Sequence, residues 1–448
     1  MPSQHLRIAI VGGGIGGVAF AVALSRVKRD VVVDIYESKQ TYSEIGAGVG
    51  MWPRVWETMR ALGLEEGLKR ELGAFPGGGK FQYRKSDQRE GFTFGSSSVE
   101  VQTIHRADLL KVLVQNTPSN YNTHFSKRLM SYVDKAPGPI ILKFSDGTTA
   151  TCDILVGADG INSSVRENMY NSLATSAESR GSSKAKADQF RRHASARWSG
   201  QTIYRSIIPK EALTSFQHDH PSLSMPVEYM GKDRMILTYP ISQGKGVNAA
   251  AIVFKHHRAG ELHDGPQVIE ADNRELAGHF LGWEPAAQSI IRLMGRSSRW
   301  RVNTVIVPSF VSGRVALLGD AAHAMEPFQA SGAGQAVEDA VVLACLLSQE
   351  ELSPRTLPLA LQVYDEVRRP IAQEVQRRSL EAGKAFSFNG RSMSGVSREE
   401  SAMGSASLEA LQDVNRELDE ISHWTWTSVA AEDRDTAIRL FRQRLGLA

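Results

Sequence analysis

Short apolar runs that end in glycine-rich turns recur along this chain. Residues 7–11 form one such run, the glycines of residues 12–17 follow it, and residues 18–24 are apolar at helical spacing. A second run, Val31–Tyr36, ends at Glu37. Strand-like runs joined by glycine turns to helix-like stretches predict alternating strands and helices around a parallel sheet.

A different pattern occupies the middle of the chain. Apolar and polar residues alternate at 202–208, 227–230, 235–240 and 248–254, which predicts strands of one sheet. Strand-like residues 302–318 then return to the first pattern, and the chain is helical from residue 336. The prediction is an α/β protein whose Rossmann-like domain is interrupted by a β-sheet domain and followed by a helical segment.

We therefore expect five segments along the chain. Residues 171–199 are rich in Ser, Ala, Lys and Arg without apolar periodicity, which predicts an exposed, flexible insertion. Trp424, Trp426 and Phe441 are expected to anchor the tail on the core. The segments are 1–170 (nucleotide-binding domain, first part), 171–199 (insertion), 200–300 (substrate-binding sheet), 301–385 (nucleotide-binding domain, second part) and 386–448 (helical tail).

Bulk composition narrows the class of partner. The 448 residues are 42% hydrophobic and carry a formal net charge of +3, too small to favour nucleic acid. No apolar run reaches the roughly 18 residues that span a bilayer, so we expect no membrane contact and a cytoplasmic protein. Cys152 and Cys345 form no CxxC motif, and no metal site is predicted. We expect a monomer or homodimer that binds small molecules.

The first glycine turn has the features of a dinucleotide site. Gly12, Gly14 and Gly17 form GxGxxG between a predicted strand and a helix, and Glu37 ends the next strand twenty residues later. In this motif the glycines let the backbone approach a pyrophosphate, and the acid accepts from ribose hydroxyl groups. The order of strand, glycines, helix, strand and acid predicts an adenine dinucleotide.

A second glycine-rich passage, residues 319–335 (GDAAHAMEPFQASGAGQ), also joins a short apolar strand to a helix. Unpaired N–H groups and the helix dipole at such a turn favour an anion or an electron-rich ring. A tight turn that needs glycines for its own backbone geometry is the alternative explanation.

Three motifs together give the chain a family resemblance. With GxGxxG and Glu37, the GADG turn at residues 157–160 and the GDAAHAMEP turn at residues 319–327, the sequence resembles the class A FAD-dependent aromatic hydroxylases, and among them the fungal salicylate-hydroxylase-like enzymes. The resemblance implies FAD as the bound cofactor and NADH or NADPH as co-substrate. It assigns the FAD contacts to Gly12, Gly14, Gly17, Glu37, Gly50, Arg106, Leu129, Asp159, Asp320, Gly332, Ala333 and Gly334.

The reaction that the resemblance implies is hydroxylation of a small phenolic acid by O2 through a flavin C4a-hydroperoxide. Loss of the carboxyl group follows when attack falls on the carbon that bears it. Arg205 is expected to bind a carboxylate or phenolate and Tyr239 to donate to the substrate oxygen, whereas a surface ion pair and core packing are their alternative roles. Pro327 and Phe328 are expected to face the substrate ring.

One departure from the family leaves the catalytic base open. Many salicylate hydroxylases carry a histidine after the proline of this turn, where this chain has Phe328. His323 is expected to support the loop through a backbone hydrogen bond, so deprotonation would depend on Tyr239, Arg205 or water. Other functions stay open, namely a hydroxylase or dearomatase of a larger polyketide-derived phenol and a non-oxygenating FAD reductase.

Overall fold

The computed structural model describes residues 6–28, 30–43, 48–72, 77–241, 244–262 and 265–447. Strands and helices are numbered below in chain order. Within these ranges no helix is both long enough and apolar enough to cross a bilayer.

A six-stranded sheet forms the centre of the nucleotide-binding part. Its strands, in spatial order, are β19 (Val311–Ser312), β20 (Val315–Leu317), β12 (Ile154–Gly157), β1 (Leu6–Val11), β2 (Val31–Tyr36) and β8 (Asn122–His124). All pairs are parallel except β19 with β20. The side chains of Ile8, Ile10 and Val33 are buried because helices cover the sheet. The predicted α/β class with a Rossmann-like sheet is confirmed.

An eight-stranded sheet faces the first one. Its order is β17 (Val268–Ala271), β18 (Ser297–Thr304), β13 (Arg197–Pro209), β16 (Gly246–Phe254), β15 (Arg234–Ile241), β14 (Val227–Gly231), β5 (Gln82–Lys85) and β6 (Phe92–Ser96). Every pair is antiparallel except β14 with β5. Two smaller sheets are antiparallel. One contains β3 (Gly48–Met51), β7 (Val101–His105) and β4 (Gly77–Gly79), and the other contains β9 (Leu129–Asp134), β10 (Ile140–Phe144) and β11 (Thr149–Cys152).

Helices cover both large sheets. They are α1 (Ile15–Val27), α2 (Pro53–Ala61), α3 (Glu65–Leu72), α4 (Arg106–Gln115), α5 (Ser164–Ser179), α6 (Lys184–Arg192), α7 (Lys210–Phe216), α8 (Asn273–His279), α9 (Pro285–Leu293), α10 (Asp320–His323), α11 (Gly332–Leu347), α12 (Leu357–Phe386), α13 (Arg398–Ala402), α14 (Leu408–Ser422), α15 (Trp424–Thr427) and α16 (Ala430–Arg444). Short 3-10 turns lie at Pro221–Leu223, His256–Arg258 and Pro327–Gln329.

The two faces of the eight-stranded sheet contact different partners. Tyr204, Tyr229 and Ile236 pack in one core with α7, α8 and α9. Ile203, Met235 and other residues at alternate positions pack on the opposite side with α12 and α14. Because side chains alternate along a strand, each central strand contributes to both layers.

For residues 171–199 the expectation of a flexible insertion is wrong, although most of these residues are exposed or half-buried. The chain there continues α5, forms α6 and enters β13. Ala174, Ala177 and Ala187 are buried where the two helices pack together. Alanine allows a close helix contact but leaves no strong apolar period in the sequence, so the pattern was not detectable.

The eight-stranded sheet also draws on more of the chain than predicted. β5 and β6 come from the segment 1–170, yet β5 pairs with β14 at the edge of the sheet assigned to 200–300, and β6 pairs with β5. Residues 82 and 227 are partners in this register. Pairing over such a separation in sequence is decided by tertiary packing and not by local pattern.

Candidate active site

A cavity of about 370 Å³ lies between the parallel sheet and the eight-stranded sheet. Gly14, Ala158 and Leu318, which follow strands β1, β12 and β20, line one side of it. Residues of β13 to β16 line the other side. Ligands of open parallel sheets bind outside the carboxyl ends of the strands, so the fold places this cavity where a nucleotide and a substrate can meet.

The three glycines of the first turn have different structural roles. A Cβ atom at Gly12 would lie 2.2 Å from the carbonyl oxygen of Ala158, and one at Gly17 would lie 2.1 Å from that of Gly12. Gly14 lines the cavity and precedes α1, whose first turn has no side-chain cap. Gly12 and Gly17 therefore permit the tight turn, while Gly14 leaves the helix N-terminus open to an anion.

Glu37 is held against this turn at the end of β2. Its Oε2 accepts from the N–H of Gly13 at 2.7 Å and its Oε1 from the N–H of Lys39 at 2.7 Å. The residue is only 9% exposed. The N–H of Lys127 donates to the carbonyl of Glu37, which brings the start of β9, and thus Leu129, to the same end of the sheet. The geometry agrees with a ribose contact by Glu37, which stays a prediction.

Asp159 has a structural role in the GADG turn. It accepts from the Ser163 hydroxyl group and from the N–H of Val165, at the N-terminus of α5. Burial raises the pKa of Asp159, although the Ser163 hydrogen bond opposes that shift. Its neighbours Ala158 and Gly160 line the cavity. Ala158 and Gly160 of the turn therefore face the cavity, while the Asp159 carboxyl group stabilises the turn.

The second glycine passage forms the opposite wall. Asp320 is exposed and lines the cavity at the start of α10, after Gly319 with φ of 61°. Gly332 and Ala333 line the cavity at the N-terminus of α11, which has no side-chain cap. Gly334 instead provides space for packing, since a Cβ atom there would lie 2.4 Å from Val55. Two uncapped helix N-termini thus point at one cavity.

Gly50 and Arg106 lie on the third side. Both line the cavity, Gly50 from β3 and Arg106 from the first position of α4. A Cβ atom at Gly50 would lie 2.7 Å from the Cβ atom of Ala330. Arg106 is half-buried, where its guanidinium group can reach an anionic ligand.

Arg205 and Tyr239 lie together on the sheet face that lines the cavity. Arg205 contacts the Trp300 ring at 5.6 Å, and its Nε is buried without a hydrogen-bond partner among the described residues. Burial lowers the pKa of Arg205 and raises that of Tyr239. The Tyr239 hydroxyl oxygen accepts from the N–H of Gly48 at 3.3 Å. The alternative of a surface ion pair for Arg205 does not match this environment.

Pro327 and Phe328 line the cavity as predicted. Phe328 stacks on Phe254 with ring centroids 5.5 Å apart and contacts Phe386 at 6.1 Å. Its ring also occupies the space where a Cβ atom of Gly383 would lie. The residue after the proline is therefore part of an apolar wall.

His323 is buried behind this turn and does not line the cavity. Its Nε2 is 2.5 Å from Oδ2 of Asp339, which also accepts from the N–H of Gly319. Arg368 donates to the other oxygen of Asp339 at 2.8 Å. His323 does support the loop as expected, but through a carboxylate and not through a backbone hydrogen bond.

Two buried carboxyl groups in the cavity were not predicted. Glu228 on β14 is 7% exposed, and burial raises its pKa to about 8. Glu326, next to Pro327, is also 7% exposed, and burial raises its pKa to about 7. Glu228 could have been found from the sequence, because it is a charged residue within a run that predicts a buried strand. A carboxyl group that titrates near neutral pH in a cavity is typical of a functional site.

The helical tail closes the cavity. Asp419, Ser422 and Trp426 line it. As predicted, tryptophans anchor the tail, since Trp424 Nε1 donates to the Gln329 side chain at 3.0 Å and Trp426 contacts Trp52 at 6.2 Å. Phe441 is fully buried. The tail thus reaches the turn at residues 327–329 directly.

These features fit an adenine dinucleotide with a ring system at one end. The open N-termini of α1 and α11 suit a pyrophosphate and an electron-rich ring. Glu37 does not itself line the cavity but is bonded to Gly13 of the first turn, where a ribose is predicted to lie. In the part of the chain that the structure describes, no three His, Cys, Asp or Glu residues are grouped to hold a metal ion. The site therefore fits FAD.

Comparison with known proteins agrees with this geometry. Residues 5–379 match the family model described as "FAD binding domain". The chain is 33% identical to the FAD-dependent monooxygenase str9 of Strobilurus tenacellus, over 99% of each sequence. It is also 33% identical to a salicylate hydroxylase of Pseudomonas putida, over 85% of this chain and 86% of that protein.

One further relative and one solved structure are also similar to this chain. The 6-methylsalicylate 1-monooxygenase atA of Aspergillus terreus is 33% identical over 88% of this chain and 86% of its own. A solved structure of a salicylate hydroxylase substrate complex superposes with a TM-score of 0.79 at 28% identity and covers 97% of this chain and 98% of that one.

Proposed function

Because the chain belongs to the family of class A FAD-dependent monooxygenases, we propose that it hydroxylates a small phenolic acid of the hydroxybenzoate type. The electron donor is NADH or NADPH and the oxidant is O2. The observation that carries the substrate class is Arg205, a half-buried residue that lies in the cavity near Tyr239. Its guanidinium Nε is buried and has no hydrogen-bond partner among the described residues. A buried cation of this kind fits a ligand anion.

FAD is held by the groups around the first and second glycine turns. Gly14 and the N-terminus of α1 would bind the pyrophosphate, Glu37 would accept from the ribose hydroxyl groups, and Asp320, Gly332 and Ala333 would contact the flavin. Arg106 and Gly50 would contact the same cofactor from the third side of the cavity. Bound there, FAD supplies electron transfer from NAD(P)H and the activation of O2.

The protein's part in the chemistry is to hold the substrate as an anion. Arg205 donates to the carboxylate or phenolate oxygen. The Tyr239 hydroxyl oxygen already accepts from Gly48, so its own hydrogen is free to donate to the substrate. A phenolate ring is more nucleophilic than a phenol ring, and both contacts lower the pKa of a bound phenol. Glu326, with a pKa of about 7, is suited to accept the phenol proton.

The cavity also restricts water. Phe328, Phe386 and Trp426 form apolar parts of its lining. Exclusion of water strengthens the electrostatic contacts and protects reactive intermediates from hydrolysis. The tail helices, which contribute Trp426, thus belong to the active site and not only to the core.

The activity test uses the purified FAD-loaded protein and a panel of hydroxybenzoates and phenols. We expect faster NAD(P)H oxidation and O2 uptake with acidic phenols, and a product one oxygen heavier than the substrate. Loss of CO2 in the product would place attack on the carbon that bears the carboxyl group. If no acidic phenol accelerates either rate, the proposed function is wrong.

Replacement of Glu37 by alanine is expected to weaken FAD retention. The carboxylate bonded to Gly13 is then lost, and with it two hydrogen bonds from ribose hydroxyl groups, each worth about 1.5 kcal/mol or more. The ratio of flavin to protein absorbance after gel filtration measures occupancy. Glu66→Gln, at a largely exposed position on α3, is the control. Occupancy equal to wild type would remove Glu37 from the FAD site.

Cytoplasmic location and a monomeric or homodimeric state stay predictions. A larger phenol remains the second candidate substrate, and one feature of the cavity favours it.

A further inference from the structure

Glu228 is a buried acid without an identified task in the proposed reaction. It lines the cavity, is 7% exposed, and its Oε2 has no hydrogen-bond partner among the described residues. A buried polar group that is left unpaired lowers stability by the full cost of its lost hydration. Such a cost is typical of a site where a ligand completes the hydrogen bonds.

The sheet register places Glu228 in line with Arg205. Arg205 pairs with Ala250, Ala250 with Leu237, Leu237 with Glu228, and Glu228 with Tyr83. Residues directly opposite each other in neighbouring strands point to the same face. All five line the cavity. They therefore form a single row across the cavity floor.

The length of this row exceeds one aromatic ring. The backbones of Arg205 and Glu228 are separated by three strand spacings, or about 14 Å. The two residues between them, Ala250 and Leu237, are apolar, and Phe386 lines the same cavity. The row thus has a cationic end, an apolar middle and an end where one carboxyl oxygen of Glu228 has no partner among the described residues. A hydroxybenzoate bound at Arg205 and Tyr239 would leave the Glu228 end unused.

We infer that the preferred substrate is an extended phenolic acid whose far end carries a hydroxyl group bound by Glu228. This inference rests on the proposed function, since it assumes that Arg205 and Tyr239 bind the acidic ring. The apolar body of the substrate lies over Ala250 and Leu237.

The charge state of Glu228 explains why a hydroxyl group is the match. Burial raises the pKa of Glu228 to about 8, so the carboxyl group is mostly protonated at neutral pH. Tyr83 is the neighbouring titratable group on the sheet, and Asp419 of α14 lies on the same side. A neutral carboxyl group both donates and accepts, and a hydroxyl group does the same.

The test compares two biphenyl acids on the FAD-loaded protein. In both, one ring carries adjacent hydroxyl and carboxyl groups, and only the first has a para-hydroxyl group on the far ring. Titration of the flavin absorbance measures Kd without turnover. Wild type is expected to bind the first acid about tenfold more tightly, as one buried hydrogen bond implies.

Variants assign that preference to one side chain. In Glu228→Leu the ratio of the two Kd values is expected to fall to about one, and Glu228→Gln, which keeps a donor and an acceptor, is expected to retain most of it. Glu270→Leu, an exposed position on β17 of the same sheet, is expected to keep the tenfold ratio.

Two results would overturn the inference: a wild-type ratio near one, or a preference that survives in Glu228→Leu. The wild-type comparison needs no substitution, so a variant that fails to fold does not decide it. Binding and turnover separate the two proposals. A tenfold ratio without NAD(P)H oxidation for any acid would reject the proposed function alone, whereas turnover without the ratio would reject the extended substrate alone.

Discussion

Arg205→Ala is expected to raise the KM for a phenolic acid by about 10- to 100-fold. A hydrogen bond to a charged group contributes roughly 1.5–3 kcal/mol, and each 1.4 kcal/mol is tenfold in affinity. Arg205 is the cation on the cavity floor, and its Nε lacks a protein partner among the described residues. Steady-state kinetics of NAD(P)H oxidation measure the effect. FAD occupancy should be retained, since the flavin contacts lie on the other wall.

Arg299 supplies a matched control for this prediction. It lies on the neighbouring strand opposite Tyr204 and points to the other face, where it bonds Glu275 at 2.9 Å. Arg299→Ala is expected to change KM by less than about twofold, because surface ion pairs contribute roughly 0–1 kcal/mol. Arg205→Lys should fall between, since lysine keeps the charge and loses the planar fork. Equal KM values for wild type and Arg205→Ala would remove Arg205 from the substrate site.

Arg368→Met is expected to lower the free energy of unfolding by about 3–5 kcal/mol. Arg368 is fully buried on α12 and bonds Asp339 at 2.8 Å, Glu338 at 3.2 Å and Asp433 at 3.0 Å. Burial opposes the charge of Arg368, but these carboxylates hold its pKa above the ordinary value. Removal of the cation leaves buried carboxylates without their partner, which is strongly destabilising.

The same substitution should also reduce FAD retention. Asp339 accepts from Gly319, which precedes the predicted flavin contact Asp320. Denaturant unfolding of the FAD-saturated protein, together with FAD occupancy, measures both effects. Arg377→Met on the same helix is the control, because that side chain is 53% exposed and pairs with Glu374 at the surface. A loss below about 1 kcal/mol for Arg368→Met would show that the cluster is not structurally important.

The cluster around Arg368 links the tail to the flavin wall. Arg54 of α2 bonds Glu338 at 2.8 Å and also contacts Asp433, which belongs to α16. Glu338 and Asp339 lie on α11, whose N-terminus lines the cavity. Charged residues in the tail helices gave no indication of this role in the sequence, because their partners are more than sixty residues away.

Tail residues also extend the active site beyond the family match. The matched family model ends at residue 379, whereas Asp419, Ser422 and Trp426 of the tail line the cavity. The glycine turns on the predicted FAD side of the cavity therefore lie within the family match, and another part of the cavity lining lies after it. Substrate preference is expected to depend on that second part.

Local sequence was sufficient for the nucleotide-binding half. Glycine positions, the acid at the end of β2 and the strand-to-helix turns are short-range signals, because each depends on the backbone conformation of a few adjacent residues. They predicted the α/β class and an adenine dinucleotide, and the family resemblance carried by the three motifs implied FAD and monooxygenase activity. The prediction for residues 171–199 failed because it also depended on local pattern, and helix contacts made by alanine give only a weak apolar pattern.

By itself, the sequence determined the strand–turn–helix units, the glycine turns and the cofactor class. Only the tertiary structure decided that β5 joins the eight-stranded sheet, that Glu228 and Arg205 share one row, and that the tail lines the cavity. These features depend on strand register and on packing between distant segments. No short stretch of sequence specifies them, because each is fixed by the simultaneous fit of several elements.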